Sequence, residues 1–288
     1  MSKKYSGARL LLVHAHPDDE TINNGATMAM YADLGADITL VTCTRGEEGE
    51  ILVPELSHYA ATAEDRLGHH REGELASAMT ALGVRDFRFL GAPDRIFRDS
   101  GMMGTEPNAR AEAFWNAQVD EAARYLVGII DEIKPHVMIT YDEFGGYGHP
   151  DHIQAHRVAM QASRKSAWDI PKIYWNIMPK SVVAEGIAKM RELGSDFFGA
   201  DSVDDLPFVK DDSFVTTVIH GDNYVEQKMA AMKAHATQIS VDGPFFALSN
   251  NIGVSVFADE YYTLVKGERS APFDNQGYEL DLFAGIHL

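Results

Sequence analysis

Two polar clusters in this sequence combine the residue types that bind metals and move protons. The first is His14-Ala15-His16-Pro17-Asp18-Asp19-Glu20, two histidines and three acids directly after the apolar run Leu10-Leu11-Leu12-Val13. The second is Asp142-Glu143-Phe144-Gly145-Gly146-Tyr147-Gly148-His149-Pro150-Asp151-His152, which again follows an apolar run, at 137–141. A single acid at a helix start commonly only caps it, and proline suits a first helical turn. Two histidines beside adjacent acids exceed what a cap needs. Imidazole and carboxylate together suit a borderline ion such as Zn²⁺ and can also hold Fe²⁺. His16 and Asp19 can aim at one ion across a turn, and a third ligand is open among His149, Asp151, His152 and His156. His152 and His156 share a helical face but lack the glutamate of a metalloprotease helix, and His156 reads by default as a packing histidine. Three such ligands and an open position polarise a carbonyl and bring bound water to a pKa of about 7. Asp18, beside a ligand but pointing elsewhere, is placed for general base. His149, with Asp151 available to orient it, is placed for acid or electrophile.

The elements around the clusters must bring them together. The run at 10–13 reads as a buried parallel strand, and 21–34 reads as a helix packed through Ala26, Met28, Met30, Tyr31 and Leu34. The first cluster then lies at a strand-to-helix turn, where the partial positive charge of the helix start favours Asp18 and Asp19. A second strand is expected at 37–43, leading into the polar loop Thr44-Arg45-Gly46-Glu47-Glu48-Gly49-Glu50. A helix follows, clearest at 73–82, then a third strand at 87–90. Residues 91–111 form a long irregular segment with Arg98-Asp99-Ser100-Gly101, read either as a lid with groups for hydroxyl-rich ligands or as a solvated loop. A helix at 112–133 is stopped by Pro135, and the fourth strand runs into the second cluster. Helices are expected at 153–166, 181–193 and 224–234, and strands at 172–176 and 213–220. His235-Ala236-Thr237-Gln238 and Phe245-Phe246 lie near further turns. This alternation predicts an α/β, Rossmann-like fold, a mostly parallel sheet with helices on both faces. With strand order three-two-one-four the two clusters converge at the topological switch point. Residues 1–174 are expected to form the catalytic core, and 175–288 a smaller C-terminal portion that completes the sheet and walls the active site.

The chain has 288 residues, with 25 Lys and Arg against 43 Asp and Glu, a formal charge of −18. That balance argues against nucleic acid or an anionic membrane as partner and favours a neutral or cationic small substrate. Lys3 and Lys4 precede a strand with no apolar signal core between, and no apolar run approaches a membrane span. The one cysteine, Cys43, excludes an internal disulfide and a thiolate zinc site, fits a cytoplasmic location, and reads as an inert buried thiol. A nucleotide-binding Rossmann protein is disfavoured, since His-Pro-Asp-Asp stands where a glycine-rich fingerprint would follow the first strand. A sugar-binding protein without turnover would lack the base or the acid, and Asp18 and His149 are both present.

His16-Pro17-Asp18-Asp19-Glu20 with Gly145-Gly146-Tyr147-Gly148-His149-Pro150-Asp151-His152 closely resembles the PIG-L/LmbE-like zinc deacetylases, which hydrolyse N-acetylglucosaminyl amides on a Rossmann-like fold. The resemblance extends through residues 42–50, 98–102 and 235–238. Within the family the sequence is most similar to the branch that deacetylates N-acetylglucosaminyl-inositol in mycothiol biosynthesis, giving glucosaminyl-inositol and acetate. The resemblance implies one Zn²⁺ per chain held by His16, Asp19 and His152, with Asp18 as base. It further implies His149 as acid and carbonyl polariser, Asp151 as its orienter and Tyr147 as an oxyanion donor. Arg71 and Asp99 match positions that grip the sugar-inositol hydroxyls, and Glu50 is a weaker candidate for the same wall. The rival branch cleaves mycothiol S-conjugates at an amide. Gly148 and the loop at 98–101 favour the deacetylase, whereas the C-terminal stretch at 279–286 leans toward the amidase.

Overall fold

The structure, a computed structural model, describes residues 3–192, 202–206, 208–240 and 258–288. In chain order the first elements are β1 (Arg9–His14), α1 (Asp19–Asp33), β2 (Asp37–Thr42), α2 (Leu67–Leu82), β3 (Asp86–Phe89), α3 (Val119–Ile133) and β4 (Val137–Thr140). There follow α4 (Gly145–Gly148), α5 (Pro150–Lys165), β5 (Lys172–Pro179), α6 (Lys180–Glu192), β6 (Val209–Lys210), β7 (Thr217–Ile219), α7 (Val225–Ala234) and β8 (Glu260–Lys266). The expected turn at Phe245-Phe246 and the expected helix end at Leu193 lie outside the described residues.

The apolar run of β1 is central because both of its faces are covered. Leu10 and Leu12 enter the core beneath α1, α2 and α7, and Leu11 and Val13 enter the core beneath α3 and α5. A strand buried on both sides loses the polar alternation of a half-exposed one, hence the unbroken Leu-Leu-Leu-Val. β2 and β4 flank β1 in parallel, β3 lies beyond β2 and β5 beyond β4. The full order is β3-β2-β1-β4-β5-β8-β7, with β6 pairing β5 off this path. The expected order three-two-one-four and the mostly parallel α/β sheet are therefore observed. The carboxyl ends of β1 and β4, which carry the two polar clusters, are neighbours.

Beyond β5 the sheet turns antiparallel, through β8 against β5 and β7 against β8. β5 carries it across positions 174 and 175. At the far end of β5 a satellite core gathers Val183 and Ile187 of α6 with Met178, Leu206, Phe208 and Val209. The C-terminal stretch returns to the main body. Leu282 and Phe283 join the core beneath α1, and the buried Glu279 accepts from Lys172 Nζ (2.6 Å), Tyr174 OH (2.6 Å) and Thr217 Oγ1 (3.1 Å). The residues that lean toward the amidase by sequence thus serve packing.

Two of the departures from expectation have a visible cause. The helix expected from 112 begins at Val119, because the backbone before it is engaged by the irregular segment. Phe114 N–H donates to Arg98 O at 2.8 Å and Trp115 N–H to Ser100 Oγ at 2.8 Å, so those groups are not free for a helical ladder. β8 is the second difference, since no strand is expected there. Its buried Glu260 accepts from the Ala26 and Thr27 N–H groups of α1 at 2.9 and 2.8 Å and from Lys228 at 2.8 Å.

Candidate metal centre and active site

At the end of β1 the chain turns through Pro17 into α1, and Asp18 takes φ 125°, ψ −34°. That region is rarely entered by a residue with a Cβ and costs of order 1–3 kcal/mol. Burying one leucine of β1 contributes roughly 1.5–3 kcal/mol, so the fold can carry such a residue only if local contacts specify it. They do. The Asp18 carbonyl accepts from Thr21 and Ile22 N–H, both at 3.0 Å, and its own N–H donates to Glu20 Oε2 at 2.9 Å. The Asp18 carboxylate makes no capping bond and accepts from Arg71 Nη2 at 3.1 Å. The capping reading of Asp18 therefore fails at its side chain.

Asp19 points the other way. Its Oδ2 accepts from His16 N–H at 2.9 Å and from Tyr141 OH at 2.7 Å. The same oxygen lies 3.4 Å from His16 Nδ1 and 3.3 Å from His152 Nε2, and the two ring nitrogens are 3.3 Å apart. A tetrahedral ion with bonds of about 2.0–2.1 Å sets its ligand atoms about 3.3–3.4 Å apart, so the three atoms fit Zn²⁺. The rest of each ring supports this. His16 Nε2 faces Asp151 Oδ2 at 3.3 Å and His152 Nδ1 faces Gly145 O at 3.2 Å, so both protons have acceptors on the outer side. Such outer partners turn a ring's lone pair inward, as in metal-ligating histidines generally. Among the described residues, His16-His149-His152 and His16-Asp99-Asp151 also bring ligand atoms within 4.8 Å of one another. The first brings in His149, whose Nδ1 already accepts from Asp151 N–H, and the second uses the outer face of His16. In the set with Asp19 the three separations are uniform at 3.3–3.4 Å.

The second cluster is shaped by glycine. Gly145 and Gly146 take φ 64° and 67°, and Asp142 Oδ1 accepts from the Phe144 and Gly146 N–H groups at 3.1 and 3.0 Å. This tight turn holds Tyr147, 46% exposed, with its ring 5.0 Å from that of His152 and 6.0 Å from that of His149. α5 then starts at Pro150, with His149 as its cap, its Nδ1 accepting from Asp151 N–H at 3.1 Å. The neutral ring must carry its proton on Nε2. Asp151 thus touches His149 through its backbone. Its carboxylate meets His16 and Ser100, whose N–H donates at 2.8 Å and whose Oγ donates to Oδ1.

Electrostatics separate the groups. Burial would lower His16, but Asp99, Asp151 and Asp19 outweigh it and hold it well above the ordinary imidazole value. Burial would raise Asp19, but His152 and His16 hold it well below the carboxylate range. Burial pushes Asp18 up to about 6 against the pull of Arg71. His149 is pulled down to about 3 by burial, then by His16 and His152. The adjacent aspartates are thus driven in opposite directions, Asp18 by its burial and Asp19 by its two histidine neighbours.

The remaining expected residues fall at varied distances from this centre. Arg71 is buried, with Nη2 on Asp18 and Pro17 O, Nη1 on Gly46 O at 2.8 Å, and Nε without a partner among the described residues. Its forks serve the protein as well as facing the site. Asp99 is buried 3.6 Å from His16 Nε2 and accepts from Gly101 and Glu48 N–H at 2.8 and 3.2 Å. Glu50 is exposed, and its carbonyl accepts from Gln238 Nε2 at 2.8 Å. His156 instead binds Tyr141 O at 2.9 Å and packs against Trp175. Cys43 is buried, its thiol pushed up by burial. Sequence reasoning misses Tyr141, which fixes Asp19, and Ser100, which fixes Asp151. Tyr141 reads there as a strand residue and Ser100 as loop, and only the fold shows what their hydroxyls meet.

A family model described as PIG-L, GlcNAc-PI de-N-acetylase, matches residues 11–163. The 1D-myo-inositol 2-acetamido-2-deoxy-alpha-D-glucopyranoside deacetylase of Geodermatophilus obscurus is 57% identical, covering 96% of this chain and 98% of its own. The enzyme numbered 1 under the same name from Catenulispora acidiphila is 58% identical, covering 97% of this chain and 90% of its own. Among solved structures, the N,N'-diacetylchitobiose deacetylase from Pyrococcus horikoshii shares the fold with TM-score 0.56 at 18% identity, over 90% of this chain and 84% of that one.

Proposed function

This chain belongs to the PIG-L family, and from that premise we propose that it is a divalent-metal N-deacetylase acting on N-acetylglucosaminyl-inositol. It hydrolyses the acetamide to glucosaminyl-inositol and acetate, a step of mycothiol biosynthesis. The observation that carries the reading is the uniform 3.3–3.4 Å triangle of His16 Nδ1, Asp19 Oδ2 and His152 Nε2, with Asp18 and His149 beside it. The near-full-length relatives bearing the deacetylase name supply the substrate.

His16, Asp19 and His152 hold one Zn²⁺, and the same donors accept Fe²⁺. Such an ion supplies Lewis-acid polarisation of a carbonyl and a lowered pKa for water. The rest is the work of side chains. Water adds to the acetamide carbon as Asp18, steadied by Arg71, takes its proton. The oxygen that becomes negative is met by His149 Nε2–H and by Tyr147 OH. The C–N bond breaks as the amine nitrogen receives the proton from Asp18, and the acetic acid formed passes its remaining proton to the amine, leaving as acetate. Asp151 orients His149 through its backbone N–H and His16 through its carboxylate. Arg71, Asp99 and Glu50 form the wall for the sugar and inositol hydroxyls.

Elemental analysis tests the metal. Protein purified without chelator is expected to carry about one divalent transition ion per chain, and chelation should remove ion and hydrolysis together. Hydrolysis persisting in ion-free protein would remove the mechanism.

A further inference from the structure

The backbone of Asp18 is held by buried groups from distant parts of the chain. Its N–H donates to Glu20 Oε2 at 2.9 Å, and Glu20 Oε1 accepts from Thr21 Oγ1 at 2.7 Å and pairs with His235 Nε2 at 2.8 Å. Glu20 and His235 are both fully buried. An acid in the first turn of a helix needs no such arrangement, because an exposed carboxylate already profits from the positive helix start. Burying a carboxylate is costly unless it is paired and hydrogen-bonded. Here it is buried, turned back onto the residue two positions earlier, and matched by a buried histidine that follows α7. Helix capping does not account for that expense, and the conformation of Asp18 does. A residue at φ 125° relaxes toward ordinary backbone when nothing holds its N–H, and its carboxylate swings with it. Arg71 fixes the tip of the side chain and Glu20 fixes its root.

We propose that Glu20, anchored by His235, is the positioning residue that holds Asp18 in its left-handed conformation and so aims the base. The inference rests on the reading of Asp18 as the base. Glu20→Ala is expected to lower kcat by about 10- to 100-fold, the cost of displacing a catalytic group by about an ångström. KM should change by less than about 3-fold, and the bound ion should stay at the wild-type level. Glu20→Gln should recover most of the loss, since its amide oxygen can accept the Asp18 N–H. The deciding measurement is a double-mutant cycle on kcat. In an Asp18→Ala background, adding Glu20→Ala should change kcat by less than about 2-fold. An equal loss in both backgrounds, or loss of the ion with Glu20→Ala, would overturn the positioning role. An Asp18→Ala variant with full kcat would instead overturn the base assignment, and this inference with it. If thermal melting shows Glu20→Ala unfolded, His235→Ala takes its place in the cycle, with the same non-additivity expected.

Discussion

Asp18 and Asp19 are chemically identical neighbours turned in different directions. One carboxylate is turned by a left-handed backbone toward Arg71, and the other folds back onto its own turn beside His16, His152 and Tyr141. Asp19→Ala is expected to lower metal content and activity together. Asp18→Ala should keep the ion and lose roughly 10²- to 10⁴-fold in kcat, the usual size of a general acid-base contribution. Metal analysis showing Asp18→Ala empty and Asp19→Ala loaded would swap the two roles. The residue types and spacing in the two motifs single out His16, Asp18, Asp19, His149 and His152, and the fold brings them close together. Their directions are expected too, His16 and Asp19 toward one ion and Asp18 elsewhere, but not the contacts around Asp18, since Arg71, and His235 behind Glu20, lie far along the chain. The same holds for Asp151. Sequence order suggests that its carboxylate serves His149, whereas helix geometry gives His149 its backbone and leaves the carboxylate to His16 and Ser100.

At the scale of elements, apolar patterning located β1 to β4 and the helices between them, since β1, β2 and β4 are buried apolar runs and the half-buried edge strand β3 alternates Phe87 and Phe89 with polar residues. It failed where burial is polar. β8 hides a core-facing Glu260, and its burial makes sense only beside Lys228 and the α1 backbone. The start of α3 moved because the segment at 98–100 takes the N–H groups of Phe114 and Trp115. The C-terminal stretch is fastened in a similar way, through Glu279 between Lys172, Tyr174, Thr217 and the Ser270 N–H. Removing one member of a buried pair leaves an uncompensated charge, at a cost of about 3–5 kcal/mol. Glu279→Ala is therefore expected to lower stability by about that amount in denaturant melts while kcat per folded molecule stays near wild type. A kcat loss without a stability loss would place Glu279 in the active-site machinery instead.

For the whole molecule, the strand order makes two motifs over a hundred residues apart into one site, since β1 and β4 are adjacent and end at the same edge. No described helix is long and apolar enough to cross a membrane. A net charge of −18 suits a substrate that brings no negative charge of its own, as a neutral amino-sugar inositol does. Two amides compete for such a site, the acetamide of N-acetylglucosaminyl-inositol and the cysteinyl amide of a mycothiol S-conjugate. The stretch at 279–286 that leans toward the second is committed to packing, which leaves Gly148 and the loop at 98–101 as the residues bearing on the choice. The most direct measurement is kcat/KM for both amides on one metal-loaded preparation. The account predicts the higher value for deacetylation of N-acetylglucosaminyl-inositol, and a higher value for cleavage of the S-conjugate would contradict it.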